Sequence, residues 1–283
     1  MTTLTPPAGA GLPAAPPPAS PPSSSSRVIA ILAIVFGSLV ILGTAGSAVF
    51  STAASAAVRT GSSTADAAGI DRLEADLSAG SLRIAFADVT EAELTVTGTG
   101  GADRWILRRD GDTLTVESRD PFWGGGWFWG GGAGEAELLL PRDTAGIDAD
   151  LAVAAGAIEV DGEFGELVLE LGAGRADVRG SADETDIDIA AGRADVDLDD
   201  VRQADLAVSA GSLRVTLTGD QPDDISAEVS AGLLTLVVPE GDYDISSEVS
   251  GGSFEDRVSS TSGASSTISI EVSAGQAVLR SAR

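Results

Sequence analysis

The 283-residue chain has no cysteine, no histidine and no lysine, and its one methionine is the first residue. Without these side chains there is no conventional Ser-His-Asp triad, thiol nucleophile, Schiff base, P-loop lysine or histidine-ligated zinc site. Carboxylate-only chemistry is what remains for an enzyme. The missing cysteines exclude a disulfide framework and fit either side of a membrane. Positive charge is scarce too: 17 arginines face 43 aspartates and glutamates, for a net charge of −26. All the acidic residues lie after position 65. That balance excludes a generic nucleic-acid binder and opposes adsorption to anionic lipid. It suits attraction of cations or basic partners.

Residues 1–26 hold eight of the 12 prolines and no charged side chain. Such a segment buries nothing and is expected as a disordered Pro/Ser-rich tail. Residues 27–50 are expected as a transmembrane helix. From Val28 to Phe50 no charge interrupts 23 residues, which at about 1.5 Å per residue cross a bilayer core of about 30 Å. A cleaved signal peptide competes, because Ala54-Ser55-Ala56 resembles a small-residue cleavage site. The length of the apolar run favours an uncleaved anchor in the lipid bilayer. Arg27 abuts its amino-terminal end, whereas Arg59 lies beyond a neutral stretch, so the expected topology is a cytoplasmic amino terminus and an extracytoplasmic carboxy-terminal domain. Residues 51–69 are small and polar and read as a flexible linker.

The remaining residues, 70–283, carry an internal repeat. An Ala-Gly or Gly-Gly pair recurs with its second glycine at Gly156, Gly174, Gly192, Gly211, Gly232, Gly252 and Gly275, at intervals of 18–23 residues, and an earlier copy ends at Gly80. Three positions before those glycines stand Leu77, Val153, Leu171, Ile189, Val208, Val229, Val249 and Val272. Two positions after them stand Leu82, Ile158, Ala176, Ala194, Leu213, Leu234, Phe254 and Ala277. Each side of the turn alternates apolar and polar with period two, the mark of a strand with one buried face. A period near 20 is too short for a helix pair or a propeller blade, but it suits two short strands around a glycine corner. One such unit cannot cover its own apolar face, so stacked units are expected to form an all-β, β-solenoid (β-helix-like) domain. The glycine supplies the backbone freedom of the corner, Val258 continues the column after Gly252, and Gln276–Arg280 forms the open edge. A β-sandwich is the alternative, because hairpin-linked strands mimic the spacing. Around Asp110-Gly111 the pattern predicts a β-hairpin.

The run ELLLPRDTAGIDADLAVAAGAIEV (137–160) and units such as LAVSAGSLRV (206–215), behind one membrane anchor, resemble the bacterial putative-adhesin family of β-strand-repeat domains. The resemblance covers about residues 70–283 and rests on structural motifs. It implies a β-helical, envelope-associated domain and supplies no catalytic residue.

Two constellations stand apart from the repeat. PFWGGGWFWGGG (121–132) gathers Phe122, Trp123, Trp127, Phe128 and Trp129 between glycines. Such aromatics stack on sugars, insert at a bilayer interface or form a partner's hot spot; equally, they cap the end of the core. Its glycines form no phosphate loop, since no lysine follows, so no nucleotide site is expected. Outward carboxylates such as Asp186, Asp188, Asp195, Asp197 and Asp199 form rows with interleaved arginines. They read as a solvated, self-neutralising face more than as a calcium site or a glycosidase pair, for no calcium-loop motif accompanies them.

The functional expectation is a non-enzymatic, single-pass membrane protein displaying an acidic β-solenoid at the cell envelope, for adhesion, partner binding or envelope-stress signalling. It needs no cofactor and no metal, and its partners are the bilayer through residues 28–50 and an envelope protein or glycan. The alternatives are a structural spacer that self-associates end to end and, last, a carboxylate-dependent glycan-active enzyme.

Overall fold

The computed structural model describes residues 59–98, 104–118 and 134–282. The expected tail (1–26), the expected membrane helix (27–50) and all five aromatics from Phe122 to Trp129 lie outside the described residues. Among the described residues no helix is long and apolar enough to cross a membrane.

The described chain is almost entirely strand. It begins with β1 (Arg59–Ala65), β2 (Arg72–Leu77), β3 (Ser81–Ala87), β4 (Ala92–Gly98), β5 (Trp105–Asp110), β6 (Thr113–Ser118) and β7 (Glu135–Pro141). A 53-residue strand, β8 (Ile147–Asp199), follows and passes through several corners without losing its ladder bonding. Then come β9 (Gln203–Val208), β10 (Ser212–Thr218), β11 (Asp224–Val229), β12 (Leu233–Val238), β13 (Tyr243–Val249), β14 (Ser253–Arg257), β15 (Ser266–Val272) and β16 (Gln276–Ser281).

These strands form two ladders joined through β8. The strands that precede a glycine corner run β5-β6-β2-β8-β9-β11-β15-β13, and those that follow one run β1-β4-β7-β3-β8-β10-β12-β16-β14. Pairing between repeat units is parallel and in register: Val208 lies beside Val229, Val229 beside Val272, and Val272 beside Val249. Antiparallel pairs occur at the amino-terminal end, where β1 joins β4, β4 joins β7 and β5 joins β6. The β5–β6 hairpin is the one that Asp110-Gly111 predicts, with Gly111 at φ 66°. The repeats themselves are not the hairpin-linked strands that a β-sandwich requires.

Register turns the period-two alternation into continuous columns. Leu77, Val153, Leu171, Ile189, Val208, Val229 and Val272 are all buried, as are Leu82, Ile158, Ala176, Ala194, Leu213, Leu234 and Ala277. Each Val, Leu or Ile so covered stabilises the fold by about 1.5–3 kcal/mol before entropy is subtracted.

At the corner the glycines stack directly on one another, each meeting the glycine of the next unit. Gly156 and Gly174 adopt positive φ, 144° and 129°, as the corner reading expects. Gly192, Gly211 and Gly232 do not, and their constraint is steric. A Cβ on Gly192 would stand 2.7 Å from the Gly174 carbonyl oxygen, and one on Gly211 would stand 2.6 Å from that of Gly192. Close approach of successive backbones, more than conformational freedom, keeps glycine there.

Three expectations need correction. Gln276–Arg280 is not the open edge, because β16 pairs with β12 on one side and β14 on the other. The last unit in sequence is inserted, and the unit 243–257 ends the stack. The reason lies in the columns. Ile268, Ile270, Val272, Ala277 and Leu279 are apolar and buried, whereas the unit 243–257 places Ser247 beside Ile270 and Asp256 beside Leu279. A unit with polar residues in its core columns is tolerated only where one side stays wet. Second, Asp256, not Val258, occupies the column position after Phe254. Third, the stretch expected as linker (51–69) contains β1, whose seven residues pair with β4 from Arg59 opposite Gly98 to Ala65 opposite Ala92. Backbone bonding to an exposed edge needs no apolar side chain, so composition concealed it.

Candidate interaction surface

The outward residues of the two ladders differ sharply in charge. On the second ladder arginines interleave with acids, as the sequence suggests. Arg175 donates to both Asp177 carboxylate oxygens at 2.6 and 3.0 Å and reaches Asp195 at 3.5 Å. Arg214 approaches Asp195 at 3.6 Å, and Arg83 lies 2.8 Å from Glu159 and 3.8 Å from Glu137. The hydrogen bond from Arg175 holds the Asp177 carboxyl below the usual carboxylate range, and the same bond raises the Arg175 guanidinium. This face is self-neutralising.

The first ladder is not. Its strands β9, β11, β13 and β15 contain no arginine, and their acids stand in register. Asp186 lies beside Asp205, and Glu228, Glu271 and Glu248 form a continuous row of three. Towards the amino terminus Glu74 lies beside Asp150 in another column, and there arginines do pair with acids: Arg72 stands 3.4 Å from Asp148 and Arg108 3.2 Å from Glu117. Arg202, at the corner before β9, reaches Asp183 at 3.2 Å. Partial desolvation pushes the Asp186 and Asp188 carboxyls above the ordinary value, and neighbouring acids add to it: Asp205 and Glu170 for Asp186, Glu170 and Asp186 for Asp188. The reading of the carboxylate rows as self-neutralising therefore applies to Asp195 on one ladder and fails for Asp186 and Asp188 on the other. Sequence spacing shows which residues point outward, but only strand order shows which rows have arginines beside them.

Among the described residues no group of three acidic side chains is arranged to hold a metal ion. A groove of about 550 Å³ runs beside the second ladder, lined by Phe86, Arg142, Asp161, Gly162, Glu163 and Gly180 among others. It exists because register places Gly162 after Asp161 in line with Phe86, where other units carry Leu140 or Leu217. The Phe86 ring rests on Gly162 and meets Phe164 edge-on at 5.8 Å. The groove is the space that an incompletely filled apolar column leaves.

The aromatic residues Phe122, Trp123, Trp127, Phe128 and Trp129 belong to the connection between β6 and β7. The flanking residues are placed: Ser118 lies beside Leu77 and Glu135 beside Ser81. Between these placed residues the sequence has 16 positions (119–134), where the neighbouring unit has the three of the corner Ser78–Gly80. Ser118 is built into that corner, its hydroxyl accepting from the Ser78 amide at 3.0 Å.

At the other end the stack stops at β13 and β14. Val249, in the same column as seven buried residues, is 44% exposed. The connection 258–265 returns across the start of β13, where the Thr261 amide donates to the Tyr243 carbonyl at 2.8 Å and the Gly263 amide to Asp244 at 2.8 Å. Tyr243 is fully buried and donates its hydroxyl to the Pro239 carbonyl at 3.1 Å; burial pushes its phenol up to about 12.

No family model and no curated protein matches the sequence. Several solved structures do align with it. A protein of Clostridium sporogenes described as a "putative cell adhesion protein" is 13% identical, with a TM-score of 0.36 over 80% of this chain and 100% of its own. A "putative adhesin" of Parabacteroides merdae is 12% identical, with a TM-score of 0.41 over 80% of this chain and 96% of its own. A "putative lipid binding protein" of Parabacteroides distasonis is 13% identical, with a TM-score of 0.42 over 77% of this chain and 96% of its own. Similarity at this level assigns no ligand to this chain.

Proposed function

We propose that the chain is a non-enzymatic, single-pass membrane protein that displays an acidic β-solenoid at the cell envelope and binds a partner there. Val28–Phe50 is the anchor, the amino terminus is cytoplasmic and the repeat domain is extracytoplasmic. The observation that carries the binding role is the charge asymmetry of the two ladders. A surface selected for solubility alone would mix its signs on both faces, as the Arg175–Asp177–Asp195 network does on one. Stacking Glu228, Glu271 and Glu248 about 4.8 Å apart costs repulsion in every molecule, and a basic partner relieves it. The solenoid reading is supported by parallel in-register pairing at offsets of 19, 21 and 43 residues and by the glycine-on-glycine corner. The absence of histidine, cysteine and lysine supports a role without catalysis.

The spacer reading is disfavoured by one observation. The end unit carries Ser247 and Asp256 in its core columns, an arrangement that blocks apolar stacking of a second copy.

Topology is tested by exploiting the lack of cysteine. With single cysteines replacing Ser23 and Ser212, intact cells are treated with an impermeant thiol reagent. Labelling at position 212 alone is expected, and labelling at position 23 alone reverses the proposed orientation. Binding is tested by comparing partner capture by the intact chain, by Trp123→Ala with Trp127→Ala and Trp129→Ala, and by Glu228→Gln with Glu271→Gln. Loss in the second set alone assigns recognition to the acidic ladder; loss in the first alone assigns it to the aromatic connection.

A further inference from the structure

The unit 243–257 is exposed on one side, but its two strands are not equivalent. The Ser250 amide donates to Val272 at 2.9 Å, and parallel pairing then turns the amide and carbonyl of every even-numbered residue of β13 towards β15. Those of Ile245, Ser247 and Val249 face outward. Among the described residues the returning connection covers Tyr243, which it bridges through Ser260, and the Asp244 carboxylate, and it reaches none of these three residues. Three consecutive outward residues thus present donors and acceptors at strand spacing, beside the 44% exposed Val249. On β14 the corresponding edge is blunted. Asp256 sits in the core column, its carboxylate accepts from the Val258 amide at 2.8 Å and ends the strand, and Glu255 is paired with Arg257 at 2.6 Å.

We propose that the free edge of β13 accepts an extended, basic polypeptide segment as an added strand. Charge complementarity selects this occupant. Residues of the added strand that alternate outward would lie beside Asp244, Ser246 and Glu248, at the end of the Glu228–Glu271–Glu248 row, so cationic side chains fit there. Residues that alternate inward would cover Ile245 and Val249 with Ser247 between them, so apolar side chains fit at the two ends. A second copy is disfavoured in the register about Ser246, which places Asp244 opposite Glu248 twice; the register about Ser247, which opposes Ile245 to Val249, is separated from the proposal by the self-association measurement below. The edge also differs from a plain acidic patch, because backbone bonding makes recognition depend on the partner's amides. The inference rests on the partner-binding reading and specifies its site and chemistry, but not on the membrane topology, so reversed cysteine labelling would leave it standing.

The test uses the full chain in detergent micelles and a fluorescent heptapeptide alternating lysine and valine. Saturable binding is expected, with the glutamate–valine analogue at least tenfold weaker. Methylating alternate backbone nitrogens on one edge of the peptide should weaken it by about tenfold or more. Ser247→Pro should do the same, since that amide faces outward and β13–β15 bonding survives; Glu248→Lys should also weaken binding and needs no change of backbone. The proposal is overturned if the lysine peptide fails to bind. It is equally overturned if the N-methylated peptide binds as well as its parent, which would mean adsorption to the acidic face alone. Concentration-dependent self-association abolished by Ser247→Pro would replace the basic segment with a second copy.

Discussion

Replacing Gly211 by alanine separates two reasons for a glycine at the corner, because they predict opposite signs. Gly211 lies outside the left-handed region, so alanine can adopt its backbone conformation. If conformational freedom were the only issue, Gly211→Ala would stabilise the fold by about 0.4–1 kcal/mol through the unfolded state. The packing says otherwise. The added Cβ would stand 2.6 Å from the Gly192 carbonyl oxygen, 2.8 Å from Ile189 Cγ2 and 3.0 Å from the Gly192 nitrogen, against an ordinary separation of about 3.5 Å. None of these atoms can retreat freely. Ile189 is buried in its column, and the Gly211 carbonyl accepts from the Leu233 amide at 2.9 Å, which ties the corner to the next unit. Overpacking of this kind costs about 1–3 kcal/mol.

With a urea m-value of about 3 kcal/mol/M for a domain of this size, a loss of about 2 kcal/mol lowers the midpoint by about 0.7 M. Because stacked repeats unfold partly by nearest-neighbour steps, amide hydrogen exchange in β10 and β12 should be followed too, and protection should fall on both sides of the corner. An unchanged or raised midpoint with protection intact would refute the stacking argument. Gly111→Ala serves as the reference for a purely conformational cost of about 1–2 kcal/mol, since φ is 66° and no atom lies within 4 Å of the added Cβ.

The remaining predictions concern charge and the open end. Asp186 and Asp188 have carboxyls raised in the folded state, so the folded chain binds more protons than the unfolded chain between the normal and the raised values. Their contribution therefore favours folding as pH falls through that window and opposes it above; Asp188→Asn should raise the urea midpoint at pH 7 and flatten this part of the pH profile. Asp177 acts in the opposite sense. Its lowered carboxyl stabilises the fold above the normal carboxylate value and loses that contribution on acidification, so Arg175→Gln should lower the urea midpoint at neutral pH, leave it unchanged at strongly acid pH and flatten the profile between. Restoring the apolar columns with Ser247→Val and Asp256→Leu together should produce concentration-dependent oligomers in light scattering, where the parent chain stays at one mass.

The sequence carried the columns because burial imposes period two on side chains, and every buried position from Leu77 to Val229 before the corners can be read from spacing alone. It could not carry the order of the last two units. Sequence proximity favours stacking 266–281 outermost, yet Ser247 and Asp256 cost more between two neighbours than at a wet end, and that comparison requires knowing that an end is available. The same limit applies to the surface. The alternation in DETDIDIAAGRADVDLD (183–199) gives each outward residue, and nothing in it separates Asp186, surrounded by acids, from Asp195, flanked by Arg175 and Arg214. Those environments are made by residues 16–20 positions away, brought alongside by the stacking in both cases. A repeat thus writes its core locally and its electrostatics non-locally. The placement of acids without arginines on β9, β11, β15 and β13 therefore reflects choices at four separate places in the chain, each independent of the alternation that builds the fold. One acidic strand is explained by solubility; four arginine-free strands that coincide at one end of a ladder whose arginines, Arg72, Arg108 and Arg109, lie on β2 and β5 at the other end require a reason at the level of the assembled surface.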